Sequence, residues 1–485
     1  MSLLKKGIKD SFVYGIGLVA ARVAGFATLP FLVRTFDPSE YAFIALVLSI
    51  VPITKTMLAL EVCQAKSVFF SDSDNIEDKA KYFSTGLWFS CLVVLVFSLL
   101  FLACLKLEWF GLSAEKLGLS LISALIICIA LFFDCAFTYC LSILRWTNQT
   151  LSYVMISVFT AWATVALIII NVSFFDLGLT GVFIAWSVSW MMAFFLALVR
   201  VRAFIRFSFS SNYLGKMLHF SFPLFVNNIP DKVNSLADRY IILFLLNSFS
   251  MGLYAATFTF ASIAGTVGAV LQTALWPLVY KAAVARKDGD EISKLFMYTL
   301  LLMALVLLSL TFVNKPLLTW ILSEEYTKHS EVILMAPLLM ASALISSLTV
   351  FFPGMAVARK NKYVIYVSVI ALLTNIVLSI LGLYIWGILG VAIGLFVSAV
   401  VRLIAYAMFS QKFYKQSFDL AKLLKYCFIF LLLELTAFYV DMYSPSSGWQ
   451  AISARLAIPF VIFLAIFWLG RSNIGRIRQA VTRFS

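Results

Sequence analysis

The sequence is poor in the residue types that build catalytic and metal sites. Only two of its 485 residues are histidines, and charged residues make up 12% of the chain. The seven cysteines are odd in number, follow no paired spacing and lie in or beside apolar segments, which is typical of small apolar filling residues. Two histidines leave too few ligands for a histidine-based metal site. We therefore expect neither a metal nor another cofactor.

Nucleotide-binding and soluble catalytic features are missing as well. The chain lacks a glycine loop that could cradle phosphates, and no predicted loop is long enough to fold as a catalytic domain. The net charge of +14 comes from bases scattered over short loops, not from a basic domain or arm. These absences predict that the protein is not an enzyme and does not bind nucleic acid.

Long apolar runs are what the sequence has in abundance. Hydrophobic residues make up 62% of the chain and its mean hydropathy is +0.99, far outside the range of soluble domains. Because backbone groups in lipid must be satisfied within a segment, such runs predict transmembrane helices. We predict an all-α polytopic membrane protein with about fourteen spans, near 12–34, 41–63, 82–105, 118–141, 151–171, 178–199, 218–246, 253–279, 295–313, 332–353, 364–384, 387–409, 423–440 and 453–470.

The loop charges predict an orientation. If both termini lie in the cytoplasm, twenty-six lysines and arginines fall in or beside cytoplasmic loops, and only six fall in loops on the opposite side of the membrane. Basic residues accumulate on the cytoplasmic side of membrane proteins, so this asymmetry favours an even number of spans and two cytoplasmic ends. The N-terminal apolar run is longer than the core of a signal peptide and is expected to remain as span 1.

An internal repeat is predicted at an offset of 213 residues. FLVRTFDPSEYAFIALVLSI (31–50) aligns with FLLNSFSMGLYAATFTFASI (244–263), and the same offset pairs Asn148 with Asn361. Six spans separate the copies, so they have the same orientation in the membrane. The alternative is a chance match between apolar segments. The repeat divides the chain into six-helix bundles at 1–205 and 206–412, followed by two additional helices and a basic tail at 413–485.

Span 7 carries the densest set of polar groups. Its sequence, LHFSFPLFVNNIPDKVNSLADRYIILFLL, contains two prolines, Pro223 and Pro230, that bend helices. Asn228, Lys232 and Arg239 share one helical face. A cation in mid-membrane costs about 2.5–3.5 kcal/mol on insertion scales, so such residues require water or a partner. The pattern predicts a helix lining an aqueous, cationic cavity.

Four cations within predicted spans form the candidate anion site. They are Arg22 in span 1, Lys55 in span 2, and Lys232 and Arg239 in span 7, with Asn228 beside them. Guanidinium groups clamp phosphate oxygens in a planar fork, and ammonium groups act as adjustable point charges, so the mixture suits a diphosphate. The alternative is internal ion pairing within span 7.

Acidic residues within spans are the candidates for ion coupling. A coupled ion or proton requires a carboxylate whose charge changes as access alternates across the membrane. The candidates are Asp134, Asp231, Asp238 and Glu434. The driving force would be an H⁺ gradient, a Na⁺ gradient or the membrane potential. Internal pairing or packing is the alternative role for each of them.

Several motifs resemble those of a known transporter superfamily. They are LPFLVRTFDPSEYA at the end of span 1, Ala237-Asp238-Arg239, Gly252-Leu253-Tyr254-Ala255-Ala256 and Trp276-Pro277-Leu278. The chain resembles the polysaccharide transporters of the multidrug/oligosaccharidyl-lipid/polysaccharide exporter superfamily, and within it the Wzx-type O-antigen flippases. The resemblance covers nearly the whole chain.

The resemblance implies both a fold and a function. The fold is two six-helix bundles packed as a V around a central cationic cavity, as in multidrug and toxin extrusion (MATE) transporters. The function is translocation of undecaprenyl-diphosphate-linked oligosaccharide from the cytoplasmic to the periplasmic leaflet of the bacterial inner membrane. Expected partners are this lipid-linked substrate, membrane lipids and other polysaccharide assembly proteins. Arg22 and Lys55 occupy helices comparable to those that hold diphosphate in lipid II flippases, and the two extra helices resemble those that form a groove for the polyprenyl tail.

Two other functions are left open. A multidrug or cation antiporter of the same fold would have a cavity that is acidic on balance, against the excess of bases in spans 1, 2 and 7. An O-antigen polymerase would be expected to carry a long periplasmic loop with basic residues, and the predicted outer loops are short.

Overall fold

The computed structural model describes residues 3–73, 75–108, 120–147, 149–285 and 289–443. Within these ranges the regular structure is helical and no strand occurs. The α-helices are α1 (Leu3–Thr35), α2 (Pro38–Leu58), α3 (Val62–Asp72), α4 (Ile76–Lys106), α5 (Leu121–Trp146), α6 (Thr150–Ser173), α7 (Gly178–Val201), α8 (Ser211–Leu245), α9 (Ser248–Val284), α10 (Gly289–Phe312), α11 (Asn314–Ile321), α12 (Glu324–Thr327), α13 (Ser330–Ser347), α14 (Gly354–Val357), α15 (Asn361–Trp386), α16 (Ile388–Gln411) and α17 (Leu420–Tyr443).

Eleven of the described helices are long and apolar enough to cross a membrane. This confirms the prediction of an all-helical, multi-pass membrane protein. Helices α1 and α8 are not among the eleven, although they coincide with predicted spans 1 and 7. Predicted span 14, at 453–470, lies outside the described residues. The count of fourteen spans and the internal repeat therefore stay predictions.

Predicted span 2 is divided into two helices. Helix α2 ends at Leu58 and α3 begins at Val62, and Leu60 and Glu61 between them have φ angles of 48° and 57°. Residues with side chains seldom adopt this left-handed conformation, which costs of the order of 1–3 kcal/mol. The sequence contains no proline or glycine at this point that would predict the break.

The chain forms two compact units. Unit 1 comprises Met1–Phe31 and Phe43–Lys232, and unit 2 comprises Leu32–Ala42 and Val233–Ser485. The boundary at Lys232 falls inside α8, which continues as one helix through Pro223 and Pro230. The repeat-based division at 205/206 instead follows the loop before this helix. The two divisions differ because one follows the proximity of backbone segments in space and the other follows sequence similarity.

Helix starts and packing seams follow local side-chain chemistry. The side chains of Asn75, Ser120 and Asn247 cap α4, α5 and α9 by accepting hydrogen bonds from backbone N–H groups of the first turn. In unit 2, α15 and α16 approach so closely that a Cβ added at Gly390 would lie 2.0 Å from the carbonyl of Gly382. Small residues at this seam allow the two backbones to touch.

Candidate functional site

A cavity of about 490 Å³ lies within unit 1. Its wall is formed by the junction between α2 and α3, by α4 and α5, and by the part of α8 that belongs to unit 1. The volume falls in the range of small-molecule sites, roughly 300–1,000 Å³. The lining residues that carry polar groups are Lys55, Thr56, Glu61, Cys63, Gln64, Ser90, Cys135, Thr138, Tyr139, Asn228, Asp231 and Lys232.

Lys55 is held by α5. Its Nζ lies 2.6 Å from Oδ2 of Asp134 and donates a hydrogen bond to Oγ1 of Thr138 at 2.8 Å. The side chain of Lys55 is 16% exposed and that of Asp134 is 8% exposed, so the ion pair is largely withdrawn from water. The predicted anion-binding lysine and one predicted coupling acid are thus partners in a single ion pair.

Glu61 brings the broken helix into contact with α8. Its carboxylate accepts hydrogen bonds from Nε2 of Gln64 at 3.0 Å and from Nδ2 of Asn228 at 3.1 Å. Asn228 also lines the cavity, while its predicted role in substrate binding stays a prediction. Both amide groups hold Glu61 at the point where α2 ends, so the left-handed backbone is supported from two directions.

The cavity lining is mixed in charge. Lys55 and Lys232 contribute two positive charges to the lining, and Glu61 and Asp231 contribute two negative charges. Asp134 forms an ion pair with Lys55. The lining of this cavity in unit 1 is thus not cationic on balance. An anion entering this cavity would compete with carboxylates for the lysines.

Lys66 is buried directly behind the cavity wall. The sequence pattern placed it among the cytoplasmic loop lysines, but its exposed fraction is 0%. Its Nζ donates to the carbonyl of Tyr139 at 3.1 Å and to Oγ of Ser142, and it lies 4.1 Å from the centroid of the Tyr139 ring. Burial lowers the pKa of this ammonium group, and the Cys63 and Cys140 thiols oppose the shift.

Two residues that line the cavity carry buried hydroxyl groups. Ser90 is 1% exposed and Tyr139 is 2% exposed, and in the described part of the chain neither hydroxyl has a hydrogen-bond partner. Buried hydroxyls are normally paired with protein, water or ligand, because an unmade hydrogen bond is costly. Both hydroxyls therefore keep an unused hydrogen-bonding capacity beside the cavity.

The two predicted arginines lie elsewhere. Arg22 is an exposed residue of unit 1 in α1 and does not line the cavity described above. Arg239 belongs to unit 2, where Nη1 donates to the carbonyl of Ser235 at 2.9 Å and the guanidinium lies 4.9 Å from the ring of Phe258. The structure thus brings Lys55, Lys232 and Asn228 together in unit 1.

Asp238 forms a separate buried network within unit 2. Its carboxylate accepts hydrogen bonds from the Tyr254 hydroxyl at 2.9 Å and from Nδ2 of Asn375 at 2.7 Å. The same amide donates to Asn234 at 3.1 Å, and Ser379 donates to Oδ1 of Asn375 at 3.1 Å. The sequence left open an ion pair between Asp238 and Lys232 or Arg239. The structure instead shows Asp238 accepting hydrogen bonds from neutral side chains. Tyr254, which belongs to the motif Gly252-Leu253-Tyr254-Ala255-Ala256, thus holds the Asp238 carboxylate through a hydrogen bond.

The remaining predicted coupling residue, Glu434, lies in α17. This helix packs on α10, where Leu308 and Phe312 surround Ala437. Oε1 of Glu434 is buried, and in the described ranges it has no hydrogen-bond partner. No group of three or more His, Cys, Asp or Glu side chains able to hold a metal ion occurs in the part of the chain that the structure describes.

Sequence reasoning missed Glu61, Lys66, Ser90 and Tyr139. Glu61 and Lys66 were visible as charges at the end of an apolar run, and that position is equally typical of a cytoplasmic interface. Ser90 and Tyr139 gave no signal, because serine and tyrosine are common in membrane helices. Only the packing of α4 against α5 identifies them.

Comparison with known proteins shows the fold. No family model and no curated protein sequence matches the chain. Among solved structures, the chain is similar to the lipid II flippase MurJ in an inward closed conformation, with a TM-score of 0.75 and 18% identity over 96% of this chain and 100% of that chain.

Multidrug transporters share the fold over less of the chain. The Vibrio cholerae MATE transporter VcmN in the bent form has a TM-score of 0.53 and 16% identity, covering 84% of this chain and 96% of that chain. An outward-facing multidrug resistance MATE family transporter of the MOP superfamily has a TM-score of 0.58 and 15% identity, covering 83% and 95%. At these identities the likeness establishes a MATE- and MurJ-like helical fold.

Proposed function

We propose that the protein is a flippase for undecaprenyl-diphosphate-linked oligosaccharide, with the O-antigen repeat unit as cargo. It moves this lipid from the cytoplasmic to the periplasmic leaflet by alternating access. The fold is shared with a protein whose substrate is lipid II, another lipid-linked precursor, and the helices are long and apolar enough to span a membrane. The cavity of unit 1 supplies the chemistry.

The observation that carries this proposal is the Lys55–Asp134 pair in the cavity wall. An arriving diphosphate brings more than one negative charge, so it competes with the single carboxylate of Asp134 for the Lys55 ammonium. Thr138 remains beside Lys55 to keep the ammonium in place. Substrate binding is thus an exchange of one anionic partner of Lys55 for another, and it leaves Asp134 without its lysine.

Other residues have proposed supporting roles. Lys232 and Asn228 join Lys55 at the diphosphate, and Arg22 and Arg239 add guanidinium groups that the substrate reaches during the cycle. Sugar hydroxyls hydrogen-bond to Ser90 and Tyr139, whose own hydroxyls lack partners in the described part of the protein. Bending of α8 at Pro223 and Pro230 accompanies the change of access.

The proposed location is the bacterial inner membrane with both termini in the cytoplasm. This orientation follows from the loop charges. Membrane lipids surround the helices, and the polyprenyl chain of the substrate stays in lipid. Other polysaccharide assembly proteins are proposed partners, because a flipped repeat unit must pass to a polymerising activity.

Deletion of the gene followed by complementation tests the proposal. Lipid-linked repeat units are expected to accumulate on the cytoplasmic leaflet of the deletion strain, and the wild-type chain is expected to restore surface polysaccharide. Purified protein in vesicles should make a fluorescent undecaprenyl-diphosphate glycan accessible to a membrane-impermeant quencher. Normal surface polysaccharide in the deletion strain, together with no movement in vesicles, would contradict the proposal.

A cation exporter is the second candidate, because Glu61, Asp231 and Asp134 place carboxylates in or beside the same cavity. This function predicts that the deletion strain is hypersensitive to cationic dyes and that vesicles carry ethidium. Dye export without glycan movement would favour the exporter, and the reverse result would favour the flippase.

Asp238 is proposed as an ion-coupling residue. Asp238→Asn keeps the size of the side chain, and we expect the protein to fold but to lose the dependence of transport on an imposed H⁺ or Na⁺ gradient. Asp238→Ala leaves the buried donors of Tyr254 and Asn375 without an acceptor, which costs about 1–3 kcal/mol for each group. Transport rates in vesicles with defined gradients measure the effect.

Glu434→Gln is the matched control for Asp238→Asn, since it neutralises another buried carboxylate of unit 2. A gradient dependence that is lost only in Glu434→Gln would assign coupling to α17. An unchanged gradient dependence in Asp238→Asn would remove Asp238 from the coupling mechanism.

A further inference from the structure

Lys66 is a fully buried lysine with no role in the exchange described above. Its exposed fraction is 0%, and no ion pair joins it to a carboxylate within the described ranges. Helix α3, which carries it, is not among the candidate spans. Lysine is almost never fully buried without an ionic partner, because the desolvation of its charge is expensive. The burial of Lys66 without a carboxylate partner therefore calls for other groups that stabilise it.

The contacts of Lys66 fit an ammonium group. Nζ has three acceptors within reach, which are the carbonyl of Tyr139, Oγ of Ser142 and Sγ of Cys63 at 3.9 Å. The Ser142 hydroxyl donates its own hydrogen to the Tyr139 carbonyl at 2.8 Å, so its oxygen is able to accept. Three acceptors match the three N–H donors of a charged lysine.

Aromatic rings supply further stabilisation for a positive charge. The Tyr139 ring centroid lies 4.1 Å from Nζ and the Phe83 centroid lies 5.9 Å away. The negative face of an aromatic ring attracts a cation without neutralising it. The charge of Lys66 is thus held by dipoles and rings, and its field is not cancelled by an adjacent carboxylate.

Two of the groups that hold Lys66 also line the cavity. Cys63 and Tyr139 lie in the cavity wall, so the ammonium is one side chain away from the cavity. The lining sets Lys55 and Lys232 against Glu61 and Asp231, and Asp134 already pairs with Lys55, so without Lys66 the carboxylates in and beside the cavity outnumber the lysines. Because the surroundings of Lys66 exclude water, its charge is screened far less than that of a surface lysine.

We propose that Lys66 is a buried ammonium group whose uncompensated charge biases the adjoining cavity towards anions and so selects a diphosphate over a cationic substrate. This inference rests on the proposed function and adds a specificity-determining residue to it. Lys66 does not touch the substrate, and it acts through space and through the wall residues Cys63 and Tyr139.

Binding to the full-length protein in nanodiscs tests the inference. The probes are undecaprenyl diphosphate and undecaprenol, which share the polyprenyl chain and differ in headgroup charge. Lys66→Met preserves the length of the side chain and removes its charge. We expect about tenfold weaker binding of undecaprenyl diphosphate and unchanged binding of undecaprenol. Lys79→Met is the matched control, since Lys79 also faces an aromatic ring, that of Phe70, but is not among the residues that line the cavity.

A pH series provides a second measurement that uses the wild-type protein. Lys66 is charged below its pKa, which burial lowers, so the preference for the diphosphate should fall as the pH rises through that value. The titratable groups that face Lys66 are the Cys63 thiol on α3 and the Tyr139 phenol and Cys140 thiol on α5, while α4 contributes the Phe83 ring. Lys66→Met should lack this step, and Lys66→Arg should move it beyond the measured range.

The outcomes separate the inference from the proposed function. If the wild type binds undecaprenyl diphosphate no better than undecaprenol, the proposed function fails. If the wild type prefers the diphosphate and folded Lys66→Met shows the same preference, the inference alone is overturned. Should Lys66→Met fail to fold, a wild-type preference for the diphosphate that stays constant across the pH series would overturn it.

Discussion

Lys55→Met is expected to destabilise the protein by about 3–5 kcal/mol and to abolish transport, whereas Lys55→Met combined with Asp134→Asn should regain stability without transport. The physical reason is the buried pair in unit 1, whose Nζ and Oδ2 atoms are 2.6 Å apart. Removing the lysine alone leaves a carboxylate that is 8% exposed without its cation. Neutralising both partners removes that penalty and also removes the charge that we propose binds the diphosphate.

Two measurements on the same four proteins check this expectation. Thermal unfolding in detergent reports stability, and movement of a fluorescent undecaprenyl-diphosphate glycan across vesicles reports function. Asp134→Asn alone frees Lys55 from its carboxylate, so we expect this variant to bind the diphosphate more tightly than the wild type. The wild type and the three variants form a double-mutant cycle that isolates the interaction.

Transport by the double variant would contradict the assignment of Lys55 to the substrate. Equal stability of Lys55→Met and the wild type would contradict the energetic importance of the pair. The two results are independent, so the structural statement and the functional proposal are tested separately.

Gly252→Ala is expected to destabilise the protein by about 3 kcal/mol or more. Gly252 lies in α9, and a Cβ added there would lie 1.7 Å from the carbonyl oxygen of Pro38 and 2.5 Å from its carbonyl carbon. Both residues belong to unit 2, where Pro38 begins α2. Backbone atoms cannot rotate away as a flexible side chain can, so the two helices must separate.

Gly215→Ala is the matched control for this substitution. Gly215 lies in α8, and a Cβ added there would meet nothing within 4 Å. Both substitutions gain the helix propensity of alanine, about 1 kcal/mol, so the difference between them isolates the collision. Thermal unfolding midpoints and the yield of monodisperse protein measure it. A Gly252→Ala variant as stable as Gly215→Ala would show that α9 and the start of α2 do not pack as described.

Fold class and helix positions were predictable from the sequence because they depend on local composition. A helix in lipid satisfies its own backbone hydrogen bonds, so apolar runs of sufficient length are enough to locate it. Span 7 was recognised as unusual for the same reason, since Lys232 and Arg239 are too polar for a lipid-facing segment. Helical periodicity likewise indicated that Asn228 and Lys232 share one face of this helix, and both residues line the cavity of unit 1.

The partners of these residues were not predictable, because each contact joins helices that are far apart in sequence. Lys55 and Asp134 are 79 residues apart, and Asn228 and Glu61 are 167 residues apart. Whether two such groups meet depends on the rotation of each helix about its axis and on the angle at which the helices pack, and no local pattern records either quantity. The same limit explains why Lys66 looked like a loop residue.

The sequence alone thus determined that this is a multi-pass helical membrane protein with cations and acids in its spans, since hydropathy and charge are properties of single segments. Only the tertiary structure decided that Lys55 is already neutralised by Asp134, that Glu61 supports a break between α2 and α3, and that Lys66 is buried behind the cavity wall. Those features arise from packing between distant helices, where the local dielectric and the available partners fix the behaviour of each charge.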